Sequence, residues 1–181
     1  PPASTSVSLW PWPGVQSTFD IVAERFLYQL CEQGPLRNGQ SLPAGHEEMA
    51  GCAQDAPAMQ RCAKKASTIQ DKMRSCSQQP DDFADIEALW GYTAGKFASR
   101  ARMAFDALTK RAPSSLSALL AAGGARIAAL GGGPAAELFA AVVAMDIAGG
   151  SAGKLALYEW VDGWRPIVEV VAGLLGEQIE Y

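Results

Sequence analysis

The segment that most constrains the fold of this chain is the run of three glycines and one proline at residues 131–134. Such a run interrupts a helix or a strand, because glycine is costly in regular structure and proline lacks an N–H donor. The short apolar segment before it, residues 126–130, predicts a strand. The longer apolar segment after it, residues 136–148, predicts a helix. The sequence therefore predicts a strand–turn–helix unit around this Gly-rich turn.

Further segments extend this unit toward the C-terminus. Residues 155–158 predict a second strand, and residues 164–175 predict a helix capped by Asp162 and ended by Gly176. Residues 178–181 resemble the start of a third strand. Strands that alternate with helices in this way imply a parallel sheet with right-handed crossovers. Three strands are too few for a well-covered parallel sheet, so we expect a longer chain or another protein to complete it.

The residues before this unit predict helices and an extended arm. Apolar residues recur at helical spacing in four segments: 17–33, 57–76, 82–110 and 115–122. In the third, Lys96, Arg100 and Arg102 predict a solvated basic face. Residues 1–16, with Trp10 and Trp12 between prolines, predict an extended arm that packs on the body or docks on a partner chain.

The predicted fold class is therefore α+β, with a helical N-terminal half followed by a partial βαβαβ unit with parallel strands. The predicted organisation has four parts: an arm (1–16), a Cys-containing helical hairpin (17–80), a helical lead-in (81–124) and the βαβαβ unit (125–181).

Charge and hydropathy argue against nucleic-acid binding and against a membrane span. The chain has 15 basic and 19 acidic residues and a net charge of −4, so no basic excess is available to bind nucleic-acid phosphates. Acidic and basic residues interrupt every apolar stretch before it reaches the roughly 20 residues that a membrane span needs. The single histidine, His46, lies among acidic residues in a predicted loop, which is typical of a solvated side chain.

Four cysteines lie in the N-terminal half: Cys31, Cys52, Cys62 and Cys76. Their spacing differs from the paired pattern of a structural zinc site, so we predict no metal site. Four cysteines permit three disulfide pairings. Cys62 and Cys76 lie about 21 Å apart along one predicted helix, which excludes that pair. We expect at least one disulfide and hence an oxidising compartment, such as that of an organelle; the alternative is four reduced, buried thiols.

The Gly-rich turn also has chemical significance. Glycines there let a ligand approach the backbone where a Cβ would clash, and the following helix offers free N–H groups at its start. Glu159 follows the second predicted strand, 26 residues after Gly133. An acidic residue at that place can bind the hydroxyl groups of a ribose.

Three stretches together resemble class I S-adenosylmethionine-dependent methyltransferases: residues 127–136, 155–160 and 162–168. The similarity is greatest to a branch whose turn has the sequence GGGPG and whose second strand leads into a GWRP helix start. It implies a Rossmann-like fold for residues 125–181. It also implies that Gly131 and Gly133 face the amino-acid part of the cofactor, that Glu159 binds the ribose, and that Trp160 packs on adenine.

The chain departs from this family pattern at several places. Ala135 replaces the third glycine, which we expect to put a methyl group against the cofactor, and Ala129 stands where an acidic residue is often found. The later strands of the family, with the loop that faces the methyl acceptor, are not among these 181 residues. We therefore predict no catalytic residue.

A nicotinamide-dinucleotide site is an alternative for the same residues, because Gly131, Gly133 and Ala136 also fit the G-x-G-x-x-G/A pattern. Pro134 and the Trp-Arg-Pro sequence at 164–166 favour the methyltransferase resemblance. A phosphate-binding loop at 149–154 is excluded, since Leu155 replaces the required Ser or Thr.

These observations leave two functions open. We expect a non-catalytic, methyltransferase-like accessory subunit of a larger protein assembly, for which an organellar photosynthetic or respiratory complex would be suitable. Its partners would be other protein subunits, joined at the strand edge after Glu177. This chain alone would need no cofactor and would bind S-adenosylmethionine more weakly than about 1 mM. The alternative is the ordered N-terminal part of an active methyltransferase that binds S-adenosylmethionine.

Overall fold

A computed structural model describes residues 15–34, 57–77, 79–111 and 113–181. The helices and strands are, in order, α1 (Val15–Gln33), α2 (Pro57–Arg74), α3 (Ile86–Lys110), α4 (Ser114–Ala121), β1 (Ala125–Leu130), α5 (Ala136–Ile147), β2 (Ala152–Tyr158), α6 (Arg165–Leu175) and β3 (Ile179–Glu180). The predicted helical N-terminal half is confirmed. The Trp residues of the predicted arm, His46 and Cys52 lie outside the described residues.

Helix α3 is the centre of the helical half and packs against α1, α2 and α5. It begins later than predicted, because Pro80–Phe83 forms a separate 3₁₀ turn. In that turn a carboxylate oxygen of Asp82 accepts a hydrogen bond from the backbone N–H of Gln79 at 2.8 Å. Asp85 then caps α3 by accepting a hydrogen bond from the N–H of Glu87 at 3.0 Å.

Aromatic side chains join the helical half to the C-terminal half in one hydrophobic core. Phe19 of α1 stacks on Phe105 of α3, with ring centroids 4.1 Å apart. Phe139 of α5 contacts Phe26 of α1 at 4.4 Å and Phe97 of α3 at 5.4 Å. The helix that follows the Gly-rich turn is therefore held directly by the N-terminal helices.

The sheet has the order β1-β2-β3 and all its strands are parallel, as predicted from the alternation of strands and helices. Ile127 is in register with Leu155, and Leu155 is in register with Ile179. β3 is only two residues long. The Tyr181 hydroxyl beyond it donates a hydrogen bond to the carbonyl of Val161 at 2.5 Å. This hydrogen bond joins the C-terminal end of the sheet to Val161, which lies in the loop between β2 and α6.

β1 is an edge strand, so one side of its backbone has no strand partner among the described residues. A groove of about 500 Å³ runs along all six of its residues. Apolar side chains of α3, α4 and α5 line this β1 groove, including Leu108, Leu119 and Leu138. Within the described ranges, no helix has the length and hydrophobicity needed to cross a lipid bilayer.

The three described cysteines are free thiols, so the predicted disulfide is not formed between any two of them. Cys31 and Cys62 are buried in the helical core, whereas Cys76 is exposed beyond the end of α2. Burial, with a smaller effect from Cys62, raises the pKa of Cys31 to about 12. Burial raises the pKa of Cys62 as well.

We expect Cys76 to be alkylated rapidly in the native protein, and Cys31 and Cys62 only after unfolding. The thiolate is the reactive form, and a thiol with a pKa of about 12 is almost entirely protonated at neutral pH. Peptide mass spectrometry after iodoacetamide treatment, with and without denaturant and without reductant, measures this order. If Cys31 resists alkylation in denaturant until a reductant is added, the cysteine is oxidised and the free-thiol assignment is wrong.

Candidate functional site

A cleft of about 360 Å³ lies where β1 and β2 end and the Gly-rich turn begins. This volume is within the range of small-molecule sites, about 300–1,000 Å³. The cleft is lined by residues from both halves of the chain: Met73, Gln79, Phe83, Tyr92, Arg100, Gly131, Gly133, Glu159, Trp160, Val161 and Trp164. All four residues predicted to bind a cofactor, Gly131, Gly133, Glu159 and Trp160, are in this set.

The Gly-rich turn continues directly from the strand pairing. The N–H of Gly131 donates to the carbonyl of Tyr158 at 2.8 Å, one step beyond the last β1–β2 pair. Gly131 and Gly133 then adopt φ angles of +63° and +51°, which favour glycine. A Cβ on Gly133 would lie 3.5 Å from Nη1 of Arg100 and 3.6 Å from Trp164. Glycine at 133 therefore leaves space beside two residues that line the cleft.

Ala135 lies away from the cleft, contrary to the sequence-based expectation. Its φ is +61°, and the residue is completely buried in the hydrophobic core. It is not among the cleft residues. The methyl group that replaces the family's third glycine therefore packs in the protein interior and does not narrow the cleft.

The Glu159 carboxylate holds the Gly-rich turn to the end of β2. Its Oε2 accepts a hydrogen bond from the N–H of Gly133 at 3.0 Å. Its Oε1 accepts from the N–H groups of Trp160 at 3.0 Å and Val161 at 3.2 Å. These three bonds leave part of the acceptor capacity of the carboxylate unused, because two oxygens provide about four lone-pair sites.

Trp160 extends one wall of the cleft and is 73% exposed. Its ring meets Phe83 edge-on, with centroids 6.1 Å apart. Trp164 is buried and meets Tyr92 edge-on at 5.6 Å. A large, exposed indole beside a cleft offers a flat apolar surface to a planar ligand.

The helical half supplies the second wall of the cleft, which sequence analysis did not predict. Phe83 and Tyr92 face the Gly-rich turn from the 3₁₀ turn and from α3. Close packing at Gly163 brings the two halves together, since a Cβ there would lie 2.5 Å from the carbonyl oxygen of Phe83. The cleft is therefore bounded by the helical half as well as by the Gly-rich turn.

Arg100 is the functional candidate that sequence analysis missed, because it was assigned to a solvated face. Its Nη2 lies 2.6 Å from Oε1 of Glu137, and its side chain is only 27% exposed. Longer contacts of 3.4 Å join it to the Tyr92 hydroxyl and to the carbonyl of Gly131. The available sequence signal was the eight-residue spacing of Tyr92 and Arg100, which places both on one helix face.

The guanidinium of Arg100 remains charged in this position. Burial acts to lower its pKa, but the Glu137 carboxylate and the Tyr92 hydroxyl outweigh that effect, so the pKa lies above its ordinary value. Among the described lining residues, Arg100 is the one cation and Glu159 the one anion. The cleft thus offers fixed charges of opposite sign on either side of Gly133.

Comparison of the chain with protein-family models, curated proteins and solved structures finds no match. Within the residues that the structure describes, no group of three or more His, Cys, Asp or Glu side chains has the arrangement of a metal site.

Proposed function

We propose that this chain carries the cofactor-binding part of a methyltransferase-like domain and that its cleft binds S-adenosylmethionine. The observation that carries the proposal is the convergence of Gly131, Gly133, Glu159 and Trp160 on one cleft of ligand size. The parallel strands joined through helices support a partial Rossmann-like fold for residues 125–181. Small molecules bind in such folds at the carboxyl ends of the strands, which is where this cleft lies.

Each residue has a role that its surroundings support. Gly131 and Gly133 leave room for the amino-acid part of the ligand beside the turn. The remaining acceptor site of Glu159 suits one hydroxyl group of a ribose. The exposed face of Trp160 suits adenine, since every base has a flat face that stacks on an aromatic ring.

An accessory, non-catalytic role in a larger protein assembly is the second candidate. The β1 groove favours it, because an unpaired strand edge beside apolar side chains is a surface on which another chain can add a strand. The C-terminal edge, which the sequence suggested for this contact, is shorter, since β3 has two residues and β1 has six. An accessory subunit of this kind requires no ligand in the cleft.

Calorimetric titration of the full chain with S-adenosylmethionine tests the first candidate. We expect saturable binding that Trp160→Ala weakens by about tenfold, because stacking of one base on an aromatic ring contributes about 1–3 kcal/mol. Tyr158→Ala is the matched control: it also removes an exposed aromatic ring at the end of β2, but Tyr158 does not line the cleft. Its affinity should equal that of the native chain.

The two candidates predict different titrations. If the native chain gives no saturable heat at millimolar ligand, the cofactor-binding proposal is wrong and the accessory role is favoured. If both variants bind S-adenosylmethionine more weakly than the native chain by the same factor, the ligand binds outside the cleft. If only Trp160→Ala loses affinity, the cleft is the site.

A further inference from the structure

We propose that Arg100 binds the carboxylate of the ligand, so that the cleft selects ligands whose amino-acid part carries a free carboxylate. This inference rests on the proposed function and adds a specificity-determining residue to it. Arg100 reaches the cleft from α3, a helix that lies outside the three stretches with the specific methyltransferase resemblance.

The position of Arg100 corresponds to the amino-acid end of the cleft. Its Nη2 lies 3.4 Å from the carbonyl of Gly131, and its Nη1 lies 3.5 Å from the place that a Cβ on Gly133 would occupy. The two glycines next to the guanidinium are those assigned to the amino-acid part of S-adenosylmethionine. Because Gly133 has no side chain, a ligand carboxylate can approach Nη1 at that point.

Arg100 has donors available for such a ligand. A guanidinium has five N–H donors. Nε and Nη2 point at one oxygen of Glu137, at 2.7 Å and 2.6 Å. The contacts with the Tyr92 hydroxyl and the Gly131 carbonyl are both 3.4 Å, which is long for a hydrogen bond and easily exchanged for a better acceptor. Nη1 in particular can donate a hydrogen bond to a ligand in the cleft.

Glu137 orients Arg100 with only one of its two carboxylate oxygens. Both guanidinium donors converge on Oε1, while Oε2 is buried and has no hydrogen-bond partner within the described residues. A pair built for stability would use both carboxylate oxygens in a two-bond fork. An unsatisfied buried acceptor is costly, and such groups call for an explanation other than stability. We infer that Glu137 is a positioning residue that aims the guanidinium at the cleft.

The charges in the cleft favour a carboxylate at Arg100 and disfavour one elsewhere. Arg100 is the only cationic residue among the described lining residues, and Glu159 is the only acidic one. A ligand carboxylate beside Glu159 would meet a like charge. At Nη1 of Arg100, the guanidinium nitrogen that does not contact Glu137, it forms a charge-assisted hydrogen bond. The ligand is therefore oriented with its carboxylate toward α3 and its ribose toward Glu159.

The test compares two ligands that differ only in this group: S-adenosylmethionine and decarboxylated S-adenosylmethionine. We expect the native chain to prefer the first by about tenfold or more, which is the usual effect of a hydrogen bond between charged groups. Arg100→Gln should weaken binding of S-adenosylmethionine by a similar factor and leave the decarboxylated ligand almost unchanged. The preference between the two ligands should disappear.

Arg102→Gln is the matched control. Arg102 lies in the same helix, its side chain is 29% exposed, and it also pairs with carboxylates, those of Asp20 and Asp106. It does not line the cleft. This variant should therefore retain the affinity for both ligands and the preference between them.

The outcomes separate this inference from the proposed function. If the native chain binds both ligands equally well, Arg100 does not recognise the carboxylate, although the cofactor-binding proposal stands. If the native chain binds neither ligand, both proposals are wrong. Should Arg100→Gln fail to fold, Arg100→Met removes the charge and keeps the apolar stem of the side chain, and a preference between the ligands equal to that of the native chain would overturn the inference.

Discussion

Gly91→Ala is expected to lower the free energy of unfolding by about 2 kcal/mol or more. Gly91 is buried in the second turn of α3, where a Cβ would lie 2.0 Å from the carbonyl oxygen of Cys62 in α2. Backbone atoms cannot rotate away as a side chain can, so α2 and α3 would have to separate. A clash with backbone atoms lies at or above the upper end of the about 1–3 kcal/mol that overpacking costs, so about 2 kcal/mol remains after the gain of about 1 kcal/mol in helix propensity. Urea denaturation followed by circular dichroism measures the loss.

Gly95→Ala provides the matched comparison, because Gly95 lies one turn further along the same helix. Gly95 is exposed, and a Cβ there would meet no atom within 4 Å. Without a clash, the substitution should stabilise the chain by about 0.5–1 kcal/mol. Opposite signs for the two variants would support the close approach of α2 and α3. A stabilising effect at both positions would show that the two helices are further apart.

The sequence predicts the elements of this fold better than it predicts how they pack. Gly91 and Gly95 occupy equivalent places in the sequence pattern of α3, and only the position of α2 distinguishes them. The parallel strands were predicted because the alternation of apolar segments and glycines is a local signal. The 3₁₀ turn at Pro80–Phe83 was missed, since it depends on a side-chain contact between Asp82 and the N–H of Gln79.

In the candidate site, too, the residues with a local sequence signal were predicted and the residue placed by packing was not. Gly131, Gly133, Glu159 and Trp160 were identified from the resemblance to the methyltransferase pattern, and the parallel strands bring them together in one cleft. Arg100 was missed because it reaches the cleft through the packing of α3 on α5, which no local pattern records. The expected position of the Ala135 methyl group was also wrong, because the residue is completely buried in the hydrophobic core and does not line the cleft.

Glu159→Ala is expected to destabilise the ligand-free chain by about 1–3 kcal/mol, which is the cost of leaving a buried donor without an acceptor. The affected donor is the N–H of Gly133, a buried residue that gives its hydrogen bond to Oε2 at 3.0 Å. The N–H of Trp160 is exposed and can bind water instead. Chemical denaturation in the absence of any ligand measures this effect. Glu159→Gln, which keeps a carbonyl oxygen as acceptor, should recover part of the loss.

Glu169→Ala is the control, because Glu169 is an exposed residue of α6 and its removal should change stability by no more than about 0.5 kcal/mol. If Glu159→Ala is as stable as this control, the carboxylate does not hold the Gly-rich turn. The same carboxylate is proposed to bind the ribose, so stability and affinity for S-adenosylmethionine should fall together in Glu159→Ala. In Trp160→Ala affinity alone should fall, because the exposed indole contributes little to folding. This contrast separates a residue that shapes the cleft from one that only contacts the ligand.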